Sequence, residues 1–442
     1  MNKSLFREFI ESVFPQMNLY VQTKEQNTTD TYLHKTMLTR VYSVDQKWEG
    51  TSANTCNVAA DIVSMDSKLP VKKRESLSTS SGKLPKVGMS MNKNESDINA
   101  LNLMKAQMNM MKSEKNEAGA KSQLDRIYQR FANDGWRCSK GIDEKNEMNF
   151  LYGLYDGVML TPDETNTGVG VRYNYGYDKF PANHFGVEDK DHFGRDDIER
   201  IISAANARGL SFVTIAISLA AYNMMRKERW ARELVASADG QTYVPETSLP
   251  VPSPKKFDEA FASEFGGITF LKIDRTIYVE KNGVQTPIKP FGNDKMVFLT
   301  SEMVGSLVWG TLAEVTNPVD GVEYQIVDEY KLIAEFSDTN PLVECTTGQA
   351  LVVPVIENVD KIYTLDKKKA YEVDETAEKE DSSDIYITIG EKKYSKPAVI
   401  EALKTLGISI RANSKDETVI AHINSLDDEK KQEFINSLSP IE

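Results

Sequence analysis

The sequence predicts an α+β fold on three observations. Apolar residues recur at helical spacing over residues 97–133, apolar and polar residues alternate over 169–177, and residues 255–366 consist mostly of short strand-like runs. The first pattern is typical of an amphipathic helix and the other two of strands. With 442 residues, the chain is long enough for two or three domains with substantial cores.

Charge is spread unevenly along this chain, whose net charge is −13. Residues 1–130 carry 19 Lys and Arg against 14 Asp and Glu, so the first third is basic and the remainder is strongly acidic. An acidic chain is unlike a general nucleic-acid binder. Three widely spaced cysteines favour reduced thiols in a cytosolic setting. No run resembles a signal peptide or a membrane span.

The first 92 residues predict an arm and a ribbon. Residues 1–14 have the pattern of a short amphipathic helix, residues 18–50 that of an extended arm with short strands, and residues 51–92 that of two strands around a Ser-rich turn. Three basic residues form the densest cluster at this turn: Lys72, Lys73 and Arg74. Because a two-stranded ribbon is marginally stable alone, we expect it to lie on a neighbouring chain, with the basic cluster facing acidic groups there.

Residues 97–133 predict one long helix. Its apolar stripe includes Met104, Met108 and Met111, lapses over 112–123 and then resumes. A helix that is polar all round in its middle typically bridges two packed regions, and this one would reach about 55 Å. We expect these three methionines to pack under it, although together with Met110 they would equally suit an adaptable partner surface. Two shorter helices joined by a polar loop are the alternative.

Local signals place the elements of the body. Helices are predicted over 143–159, 195–208 and 218–236, with Ser218 as the cap of the third, and a Pro-rich linker over 243–254. A short helix follows at 255–266, and the Asn282-Gly283 pair predicts a two-residue hairpin turn. Further strands are predicted over 210–217, 295–300, 323–327, 330–336 and 349–356.

The end of the chain predicts a separate module. Seven acidic residues lie between Glu372 and Asp384, which indicates a solvated linker. Ser414 and Glu417 form a capping box in the segment that follows. The predicted divisions are an N-terminal helix and arm (1–50), a ribbon (51–92), a long helix with the first body domain (93–254), a mostly β domain (255–366), an acidic linker (367–384) and a small helix-extended-helix module (385–442).

Catalytic signals are weak, and we expect no enzyme, cofactor or metal site. His184 and His192 lie in an acidic run that could ligate a metal, but such a run is more often an exposed loop. Cys138 could be a reactive thiol, but a structural cysteine is the commoner case. No phosphate-binding Gly loop, zinc motif or nucleophile elbow is present.

Four stretches, taken in order, resemble a known family. They are AADIVSMDSKLPVKKRESL…GKLPKVGMSM with the long helix after it, LSFVTIAISLAAYNMM, KMVFLTSEMVGSLVWG and AEFSDTNPLVECTTGQALVVPVIENVDKIYTLD. They are similar to the E-loop ribbon with its spine helix, the peripheral domain and the axial domain with its return strands in tailed-phage major capsid proteins of the lambda type, which have the Hong Kong 97-type fold. The resemblance covers about residues 15–366, with residues 18–50 in the place of the N-arm.

The resemblance implies a structural protein that assembles with copies of itself in hexamers and pentamers to form the icosahedral shell of a phage head. It also implies a separate scaffold, a portal and auxiliary head proteins as partners, and double-stranded DNA held by confinement, with no membrane. Such a protein is assembled in the bacterial host cytoplasm and resides in the virion. No Lys and Asn match the covalent cross-link that some family members make.

Two other functions remain open at the level of sequence. One is the shell protein of a cellular nanocompartment with the same fold, which would enclose an enzyme cargo instead of DNA. The other is a carboxylate-dependent hydrolase, which would need two acidic side chains in one cleft. No motif in the sequence indicates such a pair.

Overall fold

The structure is a computed structural model of the whole chain. It describes residues 32–53, 77–127, 133–160, 170–240, 249–339, 342–369 and 371, and, near the C-terminus, 386–389, 392–395, 399, 402, 403 and 423. Several predictions lie outside these residues: the helix over 1–14, the basic cluster Lys72, Lys73 and Arg74, the first half of the Pro-rich linker (243–248) and the capping box at Ser414.

The described elements are helices and strands in mixed order along the chain. The helices are α1 (Leu33–Met37), α2 (Glu95–Ser113), α3 (Glu117–Ile127), α4 (Asn133–Asp156), α5 (Arg195–Ala207), α6 (Leu219–Met225), α7 (Arg229–Ala238), α8 (Pro254–Glu264) and α9 (Ala313–Thr316). The strands are β1 (Leu38–Tyr42), β2 (Lys47–Ala53), β3 (Leu77–Lys83), β4 (Lys86–Asn94), β5 (Val158–Leu160), β6 (Arg172–Asn174), β7 (His184–Gly186), β8 (Thr214–Ser218), β9 (Thr269–Ile273), β10 (Ile277–Lys281), β11 (Val284–Ile288), β12 (Lys295–Leu299), β13 (Gly305–Gly310), β14 (Glu323–Val327), β15 (Lys331–Thr339), β16 (Leu342–Ile356), β17 (Tyr363–Asp366), β18 (Tyr386–Ile389) and β19 (Lys392–Ser395).

The chain forms two compact units, Met1–Tyr371 and Glu372–Glu442. The first is a mixed α+β unit, as the sequence predicts for the chain. In the second, β18 and β19 form an antiparallel hairpin that the sequence did not predict. Val399, Leu403 and Ile423 of the second unit are buried. Among the described residues, no helix is long and apolar enough to cross a membrane.

A six-stranded sheet crossed by the long helix α4 forms the first core. Its strand order is β1-β13-β16-β15-β14, with β4 beside β16, and β1 pairs with β13 in parallel. Apolar side chains of α4, including Phe150 and Leu151, pack with Val352 and Val353 of β16. Gly348 permits a close approach of helix and strand, because a Cβ there would lie 2.6 Å from the Cβ of Cys138.

A five-stranded sheet of order β7-β17-β12-β8-β9 supports the second core. Side chains of the surrounding helices fill it, among them Ile198, Tyr222 and Phe257. The Ser218 hydroxyl accepts the amide hydrogen of Ala221 and caps α6, as predicted. Strands β7 and β8 come from the predicted segment 93–254, and β9, β12 and β17 from 255–366, so the boundary drawn at residue 254 runs through this sheet.

The continuous helix predicted over 97–133 is wrong. Helix α2 ends at Ser113 and α3 begins at Glu117, with Lys115 between them in a left-handed conformation (φ +58°). The Asn116 side chain accepts the amide hydrogen of Gly119 at 2.9 Å, which satisfies a free donor at the start of the new helix. The long helix of the fold is instead α4, whose 24 residues run through Gly135.

The arm and ribbon predictions also need correction. The described part of the 18–50 segment forms α1, β1 and the start of β2, and β1 pairs with β13 of the first sheet. The predicted second ribbon strand, KLPKVGMSM, lies largely in β4, which pairs with β16 of the first core. The ribbon that the structure describes is made by β2 and β3.

Two smaller differences have local causes. The strand predicted over 169–177 is limited to β6 in its described part, because Gly176 adopts φ +95° and a 3₁₀ turn follows. The helix predicted over 218–236 is divided into α6 and α7. The Asn282-Gly283 turn is confirmed, since both residues have positive φ and close the hairpin of β10 and β11.

Candidate functional site

The two-stranded ribbon is the candidate assembly element. Strands β2 and β3 are antiparallel and in register from the Lys47–Lys83 pair to the Ala53–Leu77 pair. Residues 54–76, which join the two strands, lie outside the described residues. We call the two described strands the base of the ribbon.

Trp48 anchors this base. Its side chain is 2% exposed and its ring centroid lies 5.3 Å from that of Tyr173 and 5.9 Å from that of Tyr175. The facing strand makes room for the indole, because a Cβ at Gly82 would lie 2.7 Å from the indole nitrogen. The Tyr173 hydroxyl donates a 2.6 Å hydrogen bond to the Lys83 carbonyl. Aromatic packing thus joins β6 to β2, and one hydrogen bond joins β6 to β3.

A cluster of buried charges holds the chain immediately before the ribbon. The carboxylate of Glu147 on α4 accepts the amide hydrogens of Leu33 and His34, each at 3.0 Å, and lies 2.7 Å from Nδ1 of His34. It therefore satisfies donors at the start of α1, whose own N-cap side chain makes no such bond. We use the name clasp for these contacts of Glu147 together with the ion pairs that Lys35 and Lys331 make with Asp143 and Asp328.

Two lysines and two aspartates complete the clasp. The ammonium of Lys331 lies 2.8 Å from Asp143 and 3.0 Å from Asp328, and that of Lys35 lies 2.9 and 3.1 Å from the same two carboxylates. Lys331 is 0% exposed and also donates to the Ser139 hydroxyl. Three distant parts of the chain therefore meet here: α1, α4 and the turn between β14 and β15.

The charges of the clasp depend on one another. Burial alone would raise the pKa of Asp328, but Lys331 and Lys35 outweigh it and hold that pKa well below its usual range. Burial alone would lower the pKa of Lys35, but Asp143 and Asp328 raise it overall. Removing one partner of a buried pair typically costs about 3–5 kcal/mol, because a charge is left uncompensated.

The three predicted methionines lie in a helical hairpin formed by α2 and α3. Met108 is buried with Leu101, Ala120 and Ile127, and Met104 and Met111 pack against this group. The Gln123 amide donates a 3.0 Å hydrogen bond to Gln107 across the hairpin. The methionines thus pack between α2 and α3.

The residues singled out for chemistry have structural surroundings. Cys138 is fully buried, and burial raises its pKa to about 12, which is opposite to the shift that a reactive thiol requires. His184 contacts the Thr364 hydroxyl at 2.8 Å and the Tyr177 carbonyl at 3.0 Å, and His192 lies 2.6 Å from Glu228. Within the described ranges, no group of three or more His, Cys, Asp or Glu side chains could hold a metal ion.

The sequence analysis missed the clasp altogether. Its members come from residues 33–35, 139–147 and 328–331, so no local pattern joins them. The spacing of Asp143 and Glu147 places both carboxylates on one face of α4. That face was the one available signal, because a buried helix face with two carboxylates requires partners.

No protein-family model matches the sequence, and no curated protein matches it. The fold is similar to a crystal structure assigned to a capsid protein of a prophage of E. coli CFT073, at 11% identity and a TM-score of 0.44, covering 79% of this chain and 97% of that one. It is also similar to the capsid of cyanophage A-1(L), at 13% identity and a TM-score of 0.42, covering 77% and 94%. A third similar structure is the mature capsid of bacteriophage PhiM1, at 8% identity and a TM-score of 0.38, covering 77% and 88%. These are distant likenesses.

Proposed function

We propose that this chain is a structural protein: the major capsid protein of a tailed phage, which assembles with copies of itself into the icosahedral shell of the head. The order of its elements supports the proposal. This order agrees with the resemblance stated above. It begins with strand β1 and the ribbon, continues with a 24-residue helix that lies on a sheet, and ends with a second α/β layer. In this assignment α4 takes the place of the spine helix.

The ribbon is the observation that carries the proposal. A two-stranded ribbon in water is marginal without further packing. Here the base is fixed by Trp48, and residues 54–76 continue from it. A long ribbon with a fixed base is suited to reach a neighbouring copy, and the contacts made there would supply its stability.

Assembly of this kind needs no catalytic group. A subunit held on several sides, with a ribbon overlapping its neighbour, buries an area of the size seen in obligate interfaces, about 2,000–5,000 Å². Closed symmetry in hexamers and pentamers then makes the shell cooperative. An acidic chain suits DNA held by confinement better than DNA gripped by the shell. Scaffold, portal and auxiliary head proteins are the further partners that we propose.

The test shortens the ribbon without touching its base. Residues Ala53 and Leu77 are paired, so an Asn-Gly turn can replace residues 54–76 and close a two-residue hairpin. We expect a folded, soluble subunit that forms no closed shells in negative-stain electron microscopy, whereas the unaltered chain forms them. Normal shells from the shortened chain would refute the role of the ribbon. DNA in purified particles would favour the phage head over the nanocompartment, and an enzyme cargo would favour the reverse.

A further inference from the structure

After its first turn, one face of α2 is exposed and carries no charge. Asn99, Leu103, Ala106 and Met110 follow one another at steps of four, three and four, which places them on one side of the helix. Leu103 is 61% exposed and Met110 63% exposed, and Asn99 and Ala106 are exposed too. We call these four residues the outer stripe.

The outer stripe faces away from the hairpin partner. Leu101 and Met108, on the other side of α2, are buried against α3. The charged residues of α2 after its first turn, Lys105 and Lys112, also lie away from the stripe by helical geometry. An exposed helix face normally carries charges, whereas interface cores are depleted of charge and enriched in Met. The outer stripe therefore has the composition of a contact surface.

The chain itself contains a segment suited to this surface. Residues 1–14 predict an amphipathic helix with one apolar side formed by Leu5, Phe6, Phe9, Ile10, Val13 and Phe14. A helix with so much apolar surface must cover it against another element. Two basic and two acidic residues in this segment cancel, so its charges neither favour nor oppose docking on an uncharged face.

Chain length allows the contact. The chain enters the described residues at Tyr32, whose hydroxyl bonds Glu144, and α2 begins beside Lys93, which pairs with Asp134. Along α4, Asp134 and Glu144 are about 15 Å apart. Along α2, Met110 lies about 24 Å from Asn94 at the start of the helix. Residues 15–31 can extend to about 55 Å. The N-terminal segment can thus reach the outer stripe of its own chain or of an adjacent copy.

We infer that residues 5–14 dock as a helix on the outer stripe of α2. Leu103 and Met110 receive the phenylalanines of the segment, and Ala106 lets the two helices approach closely. The inference rests on the described hairpin and on the sequence of residues 1–14, so it is independent of the proposed function.

A cysteine pair tests the contact in the full-length chain, with Cys345 replaced by Ser. We expect Phe9→Cys with Met110→Cys to form a disulfide under mild oxidation. The matched control is Phe9→Cys with Lys112→Cys, because Lys112 is equally exposed on the opposite side of α2. Adding Leu103→Glu to the first pair should lower the yield of disulfide about tenfold or more, since it places a charge in the apolar contact.

The products distinguish the outcomes on a non-reducing gel and by peptide mass. A disulfide joining positions 9 and 110, within one chain or between two, supports the inference, and its size tells which copy supplies the segment. Position 110 joined to position 110 of another chain would overturn it, because the outer stripe would then dock on itself. Equal yields from the test and control pairs, or no disulfide in either, would also overturn it.

Discussion

Lys331 shows at the scale of one residue how the N-terminal part of the body is held. Its ammonium is completely buried between Asp143 and Asp328. We predict that Lys331→Met lowers the free energy of unfolding by up to about 3–5 kcal/mol, because Asp143 and Asp328 then keep only the partly exposed Lys35 as a cationic partner. Denaturant unfolding followed by tryptophan fluorescence measures this change.

The control is a solvent-exposed ion pair on the surface of the same protein. Lys289 and Asp274 lie 2.9 Å apart, with side chains 62% and 52% exposed. Lys289→Met should change the unfolding free energy by less than about 1 kcal/mol, because exposed pairs are screened. Equal losses from Lys331→Met and Lys289→Met would show that the clasp contributes no more than a surface pair.

Asp328 gives the clasp a dependence on pH. Its pKa is held below the ordinary value of 3.8, so the ionised form is stabilised by folding. A group of this kind contributes stability above its unfolded pKa, and this contribution is lost as the pH falls through the folded pKa. We therefore predict that the stability difference between the native chain and Asp328→Asn is full near pH 6 and shrinks below about pH 4.

Asn is a suitable replacement, because residue 328 has φ +51° and Asn tolerates the left-handed region as Asp does. Unfolding free energies measured from pH 6 down to pH 3 would test this prediction. A difference that stays constant over that range would contradict it.

At the scale of elements, Gly348 allows the close approach of α4 to β16. At Gly348 a Cβ would lie 2.6 Å from the Cβ of Cys138, whereas at Gly135 it would meet Ile333 at an ordinary 3.5 Å. We predict that Gly348→Ala destabilises the fold by about 1–3 kcal/mol through overpacking. Gly135→Ala should instead be neutral or stabilise it by up to about 1 kcal/mol, because Ala favours the helix. Thermal unfolding of both variants tests the pair, and equal effects would refute the close approach.

Elements with strong local signals were predictable from the sequence. Ser218 caps α6, Ser253 caps α8 before Pro254, and Asn282-Gly283 turns between β10 and β11. The helix boundaries over 97–156 were misplaced in the sequence analysis, because a glycine such as Gly135 usually favours the end of a helix. A glycine within a helix costs only about 1 kcal/mol, which the packing of α4 on the sheet can offset. The break at Lys115 did have a signal in Asn116 followed by Glu117.

Pairing between distant strands was not predictable. Strand β4 carries an alternating pattern that suits a ribbon and a sheet equally, and only its register with β16, from Asn94–Val343 to Lys86–Leu351, decides between them. The clasp was not predictable for the same reason, because its side chains come from distant parts of the sequence. A single sequence shows which side chains need partners, but not which distant segment supplies them.

For the whole molecule, the basic cluster at the predicted ribbon tip should guide assembly. Lys72, Lys73 and Arg74 stay predicted contacts to acidic groups of an adjacent chain. Replacing all three by Glu should slow assembly at low salt, as measured by light scattering, and the difference should fall as salt rises toward about 0.1 M and beyond. Unchanged rates at every ionic strength would leave the cluster as a solvated turn.

The second unit should be dispensable for the shell. We propose that Glu372–Glu442 is a module on an acidic tether, displayed on the outside of the particle. Truncation is best made after Tyr371, because Asp366 still belongs to β17 and Lys367 and Lys369 donate to Asp191 and His184 carbonyls. Particles of normal size should form from residues 1–371. Loss of particles would mean that the module is part of the shell.

The parallel pairing of β1 with β13 also constrains how the protein is made. Leu38 pairs with Gly305, so the ribosome must produce most of the first unit before β1 has its partner. At about 5–20 residues per second this takes on the order of 15–55 s. During that time β1, including Leu38, and the neighbouring Met37 remain without their final cover. We therefore expect the folding of the first unit to follow the synthesis of its N-terminal third and not to accompany it.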